Sequence, residues 1–146
     1  MIAACYDTNY LIKLQCGEAG SAQVRAHAAT VDVICCALHG RAEFVSACHR
    51  KVREGQATSA QLQAMLAQLH ADHAAGALQW LPVTEPVLLR VEGAYAAAPA
   101  ALYLRAGDAL HLAAAAEHGF TEIYSNDRHL LAAASHFGLT GLNLIP

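Results

Sequence analysis

The sequence predicts a three-layer α/β/α sandwich around a central, mostly parallel β-sheet. Short apolar runs suited to buried strands alternate along the chain with longer stretches rich in alanine and leucine. Glycines stand where several of the longer stretches end, which is typical of helix C-termini. Strands separated by helices pair in parallel, and their helices cover both faces of the sheet. With 146 residues, 55% of them hydrophobic, we expect a single domain spanning residues 1–146.

The first half of the chain contains two predicted strands and four predicted helices. In order they are a strand at 2–6, helices at 8–15 and 20–29, a strand at 31–36, a helix at 38–54 ending before Gly55, and a helix from Thr58 or Ser59 to Gly76. The two strands are short and apolar. They are therefore predicted to be buried in the sheet.

The second half repeats this alternation, with a proline in one helical first turn and glycines after two helices. Its elements are a strand at 77–83, a helix at 84–97 with Pro86 near its start, a helix at 107–118 stopped by Gly119, a strand at 121–125, a helix from Asn126 or Asp127 to Phe137 ended by Gly138, and a strand at 141–145. No internal repeat or linker interrupts this order.

Composition argues against several classes of protein. No uninterrupted apolar run of about 18 residues occurs, so we expect no membrane span. The N-terminus has no basic region before Asp7, unlike a secretion signal. The five cysteines form no CxxC pair and lie mostly in apolar runs, which indicates buried thiols in a reducing cytoplasm. Neither a phosphate loop, a GxGxxG motif nor a serine-nucleophile elbow is present.

Three aspartates lie near predicted strand ends. Asp7 follows the first strand, Asp127 follows the strand at 121–125, and Asp108 lies in the first turn of the helix before that strand. Ligands of open parallel sheets gather at the carboxyl ends of strands. Aspartate is also a favoured helix N-cap, so each residue taken alone is explained by capping.

Glu43 lies on the predicted helix at 38–54, away from the stripe that we expect to face the core. A solvated helix face explains this position, but the small Gly40 and Ala47 beside Glu43 would also let a ligand approach. The residues of the expected core stripe are Leu38, Val45, Cys48 and Val52.

Four segments, taken together, favour a functional interpretation of these acids. They read YDTNYLIKL, ALHGRAEFVSACHRK, LRAGDALHLAAAAEHG and IYSNDRHLLAAASHFGL. In this order and at these separations the chain resembles the PIN-domain family, and within it the VapC-like toxins of type II toxin-antitoxin systems. The resemblance extends from the first strand to the last. The last two segments are the most specific, because capping alone does not explain Asp108 and Asp127 at a separation of 19 residues.

The resemblance implies an acidic catalytic and metal-binding site at Asp7, Glu43, Asp108 and Asp127. It also implies supporting polar groups, for which the candidates are Thr8, Asn9, Ser125 and Asn126. One position departs from the family pattern. Ala37 stands where relatives often have Ser or Thr, which leaves the helix that carries Glu43 less well capped.

Four converging carboxylates repel one another and raise at least one pKa unless cations neutralise them. Mg2+ or Mn2+ suits such an oxygen-only site. The resemblance implies a metal-dependent endoribonuclease in which one or two ions activate water for in-line attack on RNA, giving 5′-phosphate and 3′-hydroxyl ends. Asp7, Asp108 and Asp127 would hold metal, while Glu43 would hold metal or orient the attacking water.

The net charge of -3 at first argues against an RNA partner. Without the four site acids, 12 − 4 leaves 8 acids against 9 basic residues, a balance of +1. Four basic residues lie within six positions of a site acid and could contact phosphate, or could simply be solvated or pair with those acids. They are Lys13, Arg41, Arg105 and Arg128.

Several alternatives remain open at this point. A toxin of this family would act in the cytoplasm, form a homodimer and be held by a cognate antitoxin whose arginine pairs with the carboxylates. A housekeeping RNA-processing nuclease and a catalytically silent RNA- or protein-binding module are the other hypotheses. His70 and His73 form a weak HxxH pattern without the further ligands that zinc requires. His111 and His129 are expected to be pocket-wall or surface groups.

Overall fold

The computed structural model describes residues 1–146 and contains five strands and seven α-helices. The strands are β1 (Ala3–Cys5), β2 (Val33–Ala37), β3 (Leu78–Leu81), β4 (Glu122–Tyr124) and β5 (Thr140–Leu142). The helices are α1 (Thr8–Gln15), α2 (Ser21–Ala28), α3 (Gly40–Arg53), α4 (Ser59–Ala74), α5 (Glu85–Ala97), α6 (Ala106–Glu117) and α7 (Arg128–Ala133), which continues as a 3-10 turn over Ala134–Phe137.

All strand pairings are parallel. β1 and β3 flank β2, while β4 pairs with β5. A single parallel bridge between Tyr6 and Tyr124 connects the two groups of strands, and the Asp7 amide donates to the Tyr124 carbonyl at 3.2 Å. The spatial order is therefore β3-β2-β1-β4-β5. The bridge brings the carboxyl ends of β1 and β4, and with them Asp7 and Asp127, to the same edge of the sheet.

Alternate strand residues contact two different hydrophobic clusters. Along β2, Cys35 belongs to one cluster, whereas Ile34 and Cys36 belong to the other. The first cluster includes buried residues of α5, α6 and α7, and the second includes those of α1, α3 and α4. A strand whose two faces are both covered in this way lies in the middle layer of three. The predicted α/β class is confirmed.

The structure differs from the predicted elements in a few places. The last helix tightens into a 3-10 turn after Ala133, and β5 ends at Leu142 rather than at residue 145. Beyond β5, the Asn143 side chain accepts hydrogen bonds from the Tyr10 hydroxyl and the Ile145 amide. These bonds hold the last residues against α1 instead of extending the strand.

The core stripe of α3 was predicted incorrectly in part. Phe44 and Cys48 are fully buried, whereas Leu38 and Val45 are 40% and 42% exposed. The helix begins at Gly40, two residues later than predicted, and Leu38 lies in the turn before it. Its N-cap residue, His39, makes no side-chain capping bond. The helix therefore lacks a capping bond, but at His39 rather than at Ala37, which is the last residue of β2.

The five cysteines are free thiols, four of them buried and Cys16 half-buried. None of the helices combines the length and the apolar character needed to cross a bilayer.

Candidate active site

A cleft of about 420 Å³ opens between α1, α3 and the start of α6. Its lining includes all four acids predicted to form the site, Asp7, Glu43, Asp108 and Asp127. Thr8 and Asn9 also line the cleft. The elements that carry the acids are far apart in sequence, and their convergence is a result of the parallel sheet order.

Asp7 caps α1 and also faces the cleft. Its Oδ1 accepts a 3.0 Å bond from the Tyr10 amide, and its Oδ2 accepts a 2.5 Å bond from the Ser125 hydroxyl. The residue is only 3% exposed. Burial raises the pKa of Asp7 to about 6, although the hydrogen bond from Ser125 opposes that shift. A carboxyl group in such a site gains from a cation that stabilises its ionised form.

Asp108 and Asp127 share one guanidinium group. Arg105 donates from Nε to Asp108 Oδ2 at 3.1 Å and from a terminal nitrogen to Asp127 Oδ2 at 2.9 Å. Asp127 also caps α7, because its Oδ1 accepts from the amides of His129 and Leu130. Burial raises the pKa of Asp108, Arg105 lowers it, and the nearby Asp127 carboxylate raises it further. The two aspartates thus already bind a cation, the arginine side chain.

Glu43 is held by groups from two other elements. Its Oε1 accepts a 2.8 Å bond from the Thr8 hydroxyl and a 2.6 Å bond from His111 Nε2. Burial alone would raise the pKa of Glu43, but the bonds from His111 and Thr8 lower it to about 2. A Cβ atom added at Gly107 would lie 3.0 Å from Glu43 Oε2. Glycine at position 107 therefore leaves room for the second oxygen, which makes no hydrogen bond to the protein.

His39 and His111 pack against each other beside Glu43. Their ring centroids are 4.2 Å apart, and His39 Nε2 lies 2.9 Å from the Gly107 carbonyl and 3.4 Å from Glu43 Oε1. Because a carbonyl oxygen can only accept a hydrogen bond, His39 Nε2 carries the proton of that ring. His111 Nε2 likewise carries a proton, because the ionised Glu43 carboxylate that it contacts can only accept. The Nδ1 atoms of both rings are buried without a partner.

These three side chains form a second group with potential metal ligands. The ligand atoms of His39, Glu43 and His111 lie within 4.8 Å of one another. Binding a metal through His39 Nε2 would break its bond to the Gly107 carbonyl, and both Nδ1 atoms lack the outer hydrogen bonds that usually orient metal-bound histidines. The hydrogen-bonded arrangement therefore accounts for these groups more completely than a second metal would.

The carboxylates suit a hard divalent cation. All four offer oxygen atoms, and Arg105 already places a positive group between Asp108 and Asp127. Mg2+ and Mn2+ prefer such oxygen ligands. The donor atoms fit the predicted metal in kind, but no three of the four carboxylates bring oxygen atoms within 4.8 Å of one another.

Other predicted residues lie in varied positions. Ser125 is fully buried beneath the cleft, where it bonds Asp7 and accepts from the Asp127 amide. Asn126 is exposed and is not part of the cleft lining. His111 lines the cleft wall as expected, and His129 packs against Tyr103 with ring centroids 4.3 Å apart. In the HxxH pattern, His73 Nδ1 donates to the Leu78 carbonyl.

The basic residues near the acids were predicted less well. Of the four expected there, Arg105 alone lines the cleft. Lys13 bonds Glu18 and the Ala19 carbonyl instead. Arg50, which was not predicted to be near the site, lines the cleft as well. The available signal was its position on α3, seven residues after Glu43 and therefore on the same helix face.

In this α/β/α fold, Asp7 and Asp127 follow the carboxyl ends of two parallel strands and share one cleft with Glu43 and Asp108. The sequence model of the PIN domain matches residues 4–135, and the chain belongs to the PIN-domain family. PIN domains are generally metal-dependent nucleases, and PIN nucleases bind RNA. No curated protein matches the chain.

Proposed function

We propose that residues 1–146 form a single PIN-like domain that acts as a Mg2+- or Mn2+-dependent endoribonuclease. The observation that supports this most directly is the shared cation of Asp108 and Asp127. Two carboxylates that bind the same guanidinium can bind a divalent ion in its place. Asp7 and Glu43 line the same cleft and extend the oxygen-rich site.

Each site residue has a proposed role. Asp7, Asp108 and Asp127 hold the metal, directly or through water, and Ser125 orients the Asp7 carboxylate by its hydrogen bond. Glu43 holds metal or orients the attacking water through Oε2, while Thr8 and His111 fix Oε1. When bound, the ion lowers the pKa of water and stabilises negative charge on the phosphate. Asn9 is a supporting polar group at the edge of the site, whereas Asn126 lies outside the cleft lining and has no assigned role.

The finer proposal is a VapC-like toxin in the cytoplasm. Such a toxin would form a homodimer and be held inactive by a cognate antitoxin. The bridging contact of Arg105 supports this, because an arginine of an antitoxin could make the same two ion pairs with Asp108 and Asp127. The alternatives are a housekeeping RNA-processing nuclease and a silent RNA- or protein-binding module.

Cleavage of single-stranded RNA by the purified protein tests the enzymatic proposal. We expect the wild type to cleave RNA with Mg2+ or Mn2+, to give products that carry 5′-phosphates, and to be inactive in EDTA. Asp7→Asn should lose most of this activity. Arg90→Gln is a suitable control, because Arg90 pairs with Glu117 on α6 outside the cleft. Metal-independent cleavage, or full activity of Asp7→Asn, would exclude this mechanism.

A growth experiment tests the toxin proposal separately. Expression of the wild type should slow growth, and Asp108→Asn should not. Co-expression of the product of an adjacent small reading frame should restore growth. Equal growth of the wild-type and Asp108→Asn strains would leave the nuclease proposal intact and refute the toxin.

A further inference from the structure

One face of α3 connects Glu43 to a cationic side chain. Glu43, Ser46, Ala47 and Arg50 all line the cleft, at the i, i+3, i+4, i+7 spacing of a single helix face. At 1.5 Å rise per residue, Arg50 lies about 10 Å along the helix from Glu43. The cleft therefore continues from the carboxylates for two turns of α3.

Arg50 is the one cation of this cleft that no protein group engages. Arg105 and Arg50 are the only Arg or Lys residues in its lining. Arg105 is paired with Asp108 and Asp127, whereas Arg50 is exposed and its side chain takes part in none of the ion pairs of the molecule. Its guanidinium is available to an external anion without breaking an internal contact.

The path between the acids and Arg50 is open to an extended chain. On α3, Ser46 and Ala47 present short side chains along it. On α1, Asn9 and Ile12 line the facing wall, and Asn9 is exposed with its carboxamide free of internal hydrogen bonds. Small side chains on one wall and a polar amide on the other suit a sugar-phosphate backbone, most of whose protein contacts are polar and sequence-independent.

We propose that Arg50 forms a phosphate-binding subsite for the RNA strand, next to the carboxylate site and along the face of α3. The subsite rests on the proposed nuclease function, since it needs a polyanion whose reacting phosphate lies among the acids. Four carboxylates repel the flanking phosphates of that strand, and a free guanidinium two helical turns away offsets this repulsion.

Kinetics with matched variants on one helix test the subsite. Arg50→Gln removes the cation, Arg50→Lys keeps it, and Arg53→Gln removes an exposed cation of α3 that does not line the cleft. We expect Arg50→Gln to raise KM severalfold with kcat nearly unchanged, Arg50→Lys to restore part of the loss, and Arg53→Gln to match the wild type. Thermal melting of all variants should coincide, because these side chains are exposed.

Binding of fluorescent single-stranded RNA, with cleavage blocked by Asp108→Asn, measures the same contact without catalysis. Loss of one phosphate contact should reduce the slope of log K against log salt by about 0.7. Equal effects of Arg50→Gln and Arg53→Gln on KM and on the salt slope would overturn the subsite. If the wild type cleaves no RNA, the proposed function fails, and the binding comparison still decides the subsite by itself.

Discussion

His111 Nε2 donates a 2.6 Å hydrogen bond to Glu43 Oε1, across 68 residues of sequence. His111 is 3% exposed, so its ring has little freedom to leave this position. The Thr8 hydroxyl reaches the same oxygen at 2.8 Å. Together these two donors orient the carboxylate so that Oε2 remains for a ligand.

Substitution of His111 should therefore impair the site through Glu43. We expect His111→Leu to lower kcat/KM and to weaken Mn2+ binding by about 10- to 100-fold, the usual effect of losing an outer hydrogen bond at a metal site. His111→Asn, which can still donate, should recover part of this loss. His70→Asn, an exposed substitution on α4, serves as the control. Mn2+ titration and steady-state cleavage measure both effects, and a wild-type kcat/KM in His111→Leu would contradict the role.

The stability of the metal-free protein should fall between about pH 4 and pH 6. The pKa of Asp7 is raised to about 6 in the folded protein, so folding favours the protonated acid. The contribution of protonated Asp7 to the free energy of unfolding is complete below the pKa of Asp7 in the unfolded chain. It is lost as pH rises through the pKa in the folded protein, and the free energy of unfolding then falls by about 3 kcal/mol. The pKa of Glu43 is lowered from 4.5 to about 2, so its own contribution to stability is lost as pH falls below about 4.5 and overlaps only the lower end of this range.

Asp7→Asn should lack that decline. Asparagine caps helices as well as aspartate does, so the start of α1 should be preserved. In EDTA above pH 6 we expect the variant to be more stable than the wild type, and at pH 4 the difference should disappear. Urea denaturation from pH 4 to pH 8 measures this. If the wild type instead became more stable relative to Asp7→Asn as pH rises from 4 to 8, the predicted direction of the pH dependence would be wrong.

Removal of Arg105 should strengthen metal binding. Its guanidinium occupies Asp108 and Asp127, and a divalent ion must compete with it. Because the Arg105 side chain is 57% exposed, its ion pairs are weak and compete only modestly with a divalent ion. Arg105→Gln should therefore lower the Mn2+ dissociation constant by up to about tenfold. Calorimetric titration compares it with Arg90→Gln as the control. Weaker Mn2+ binding by Arg105→Gln would mean that the arginine supports the ion rather than competing with it.

Gly107→Ala should separate stability from activity. Alanine is a better helix residue than glycine by up to about 1 kcal/mol, but its Cβ would lie 3.0 Å from Glu43 Oε2. We expect an unchanged or raised melting temperature together with reduced cleavage. Gly93→Ala on α5, where a Cβ meets nothing within 4 Å, should raise stability without affecting cleavage. Wild-type activity of Gly107→Ala would show that Oε2 can move without consequence.

Local patterns predicted the order of elements well, because helix ends are marked by local chemistry. Gly55 and Gly119, predicted to end helices, both adopt positive φ, at 75° and 85°. The four acids were found through motif order, and the structure brings them into one cleft. Their ligand roles remain predictions, which the Asp7→Asn and Mn2+ experiments address.

The contacts between distant elements could not be predicted in this way. The bonds from His111 to Glu43 and from Ser125 to Asp7 depend on how α6 packs on β2 and how β4 lies beside β1, which no local spacing encodes. Lys13 was assigned to the site by its distance in sequence from Asp7, but Glu18 competes for it. Asn126 follows Ser125 directly and nevertheless lies outside the cleft lining, since the chain turns there into α7.

The hydrogen bond between Ser125 and Asp7 connects residues 118 positions apart, and this has a consequence for synthesis. The ribosome adds roughly 5–20 residues per second and releases the N-terminus first. A nascent chain that has exposed Asp7 and Glu43 still lacks Asp108, Ser125 and Asp127, and also the strand that positions two of them. The carboxylate cleft can therefore assemble only after the chain through Asp127 has left the exit tunnel, and until then Asp7 and Glu43 lack the other acids of the site.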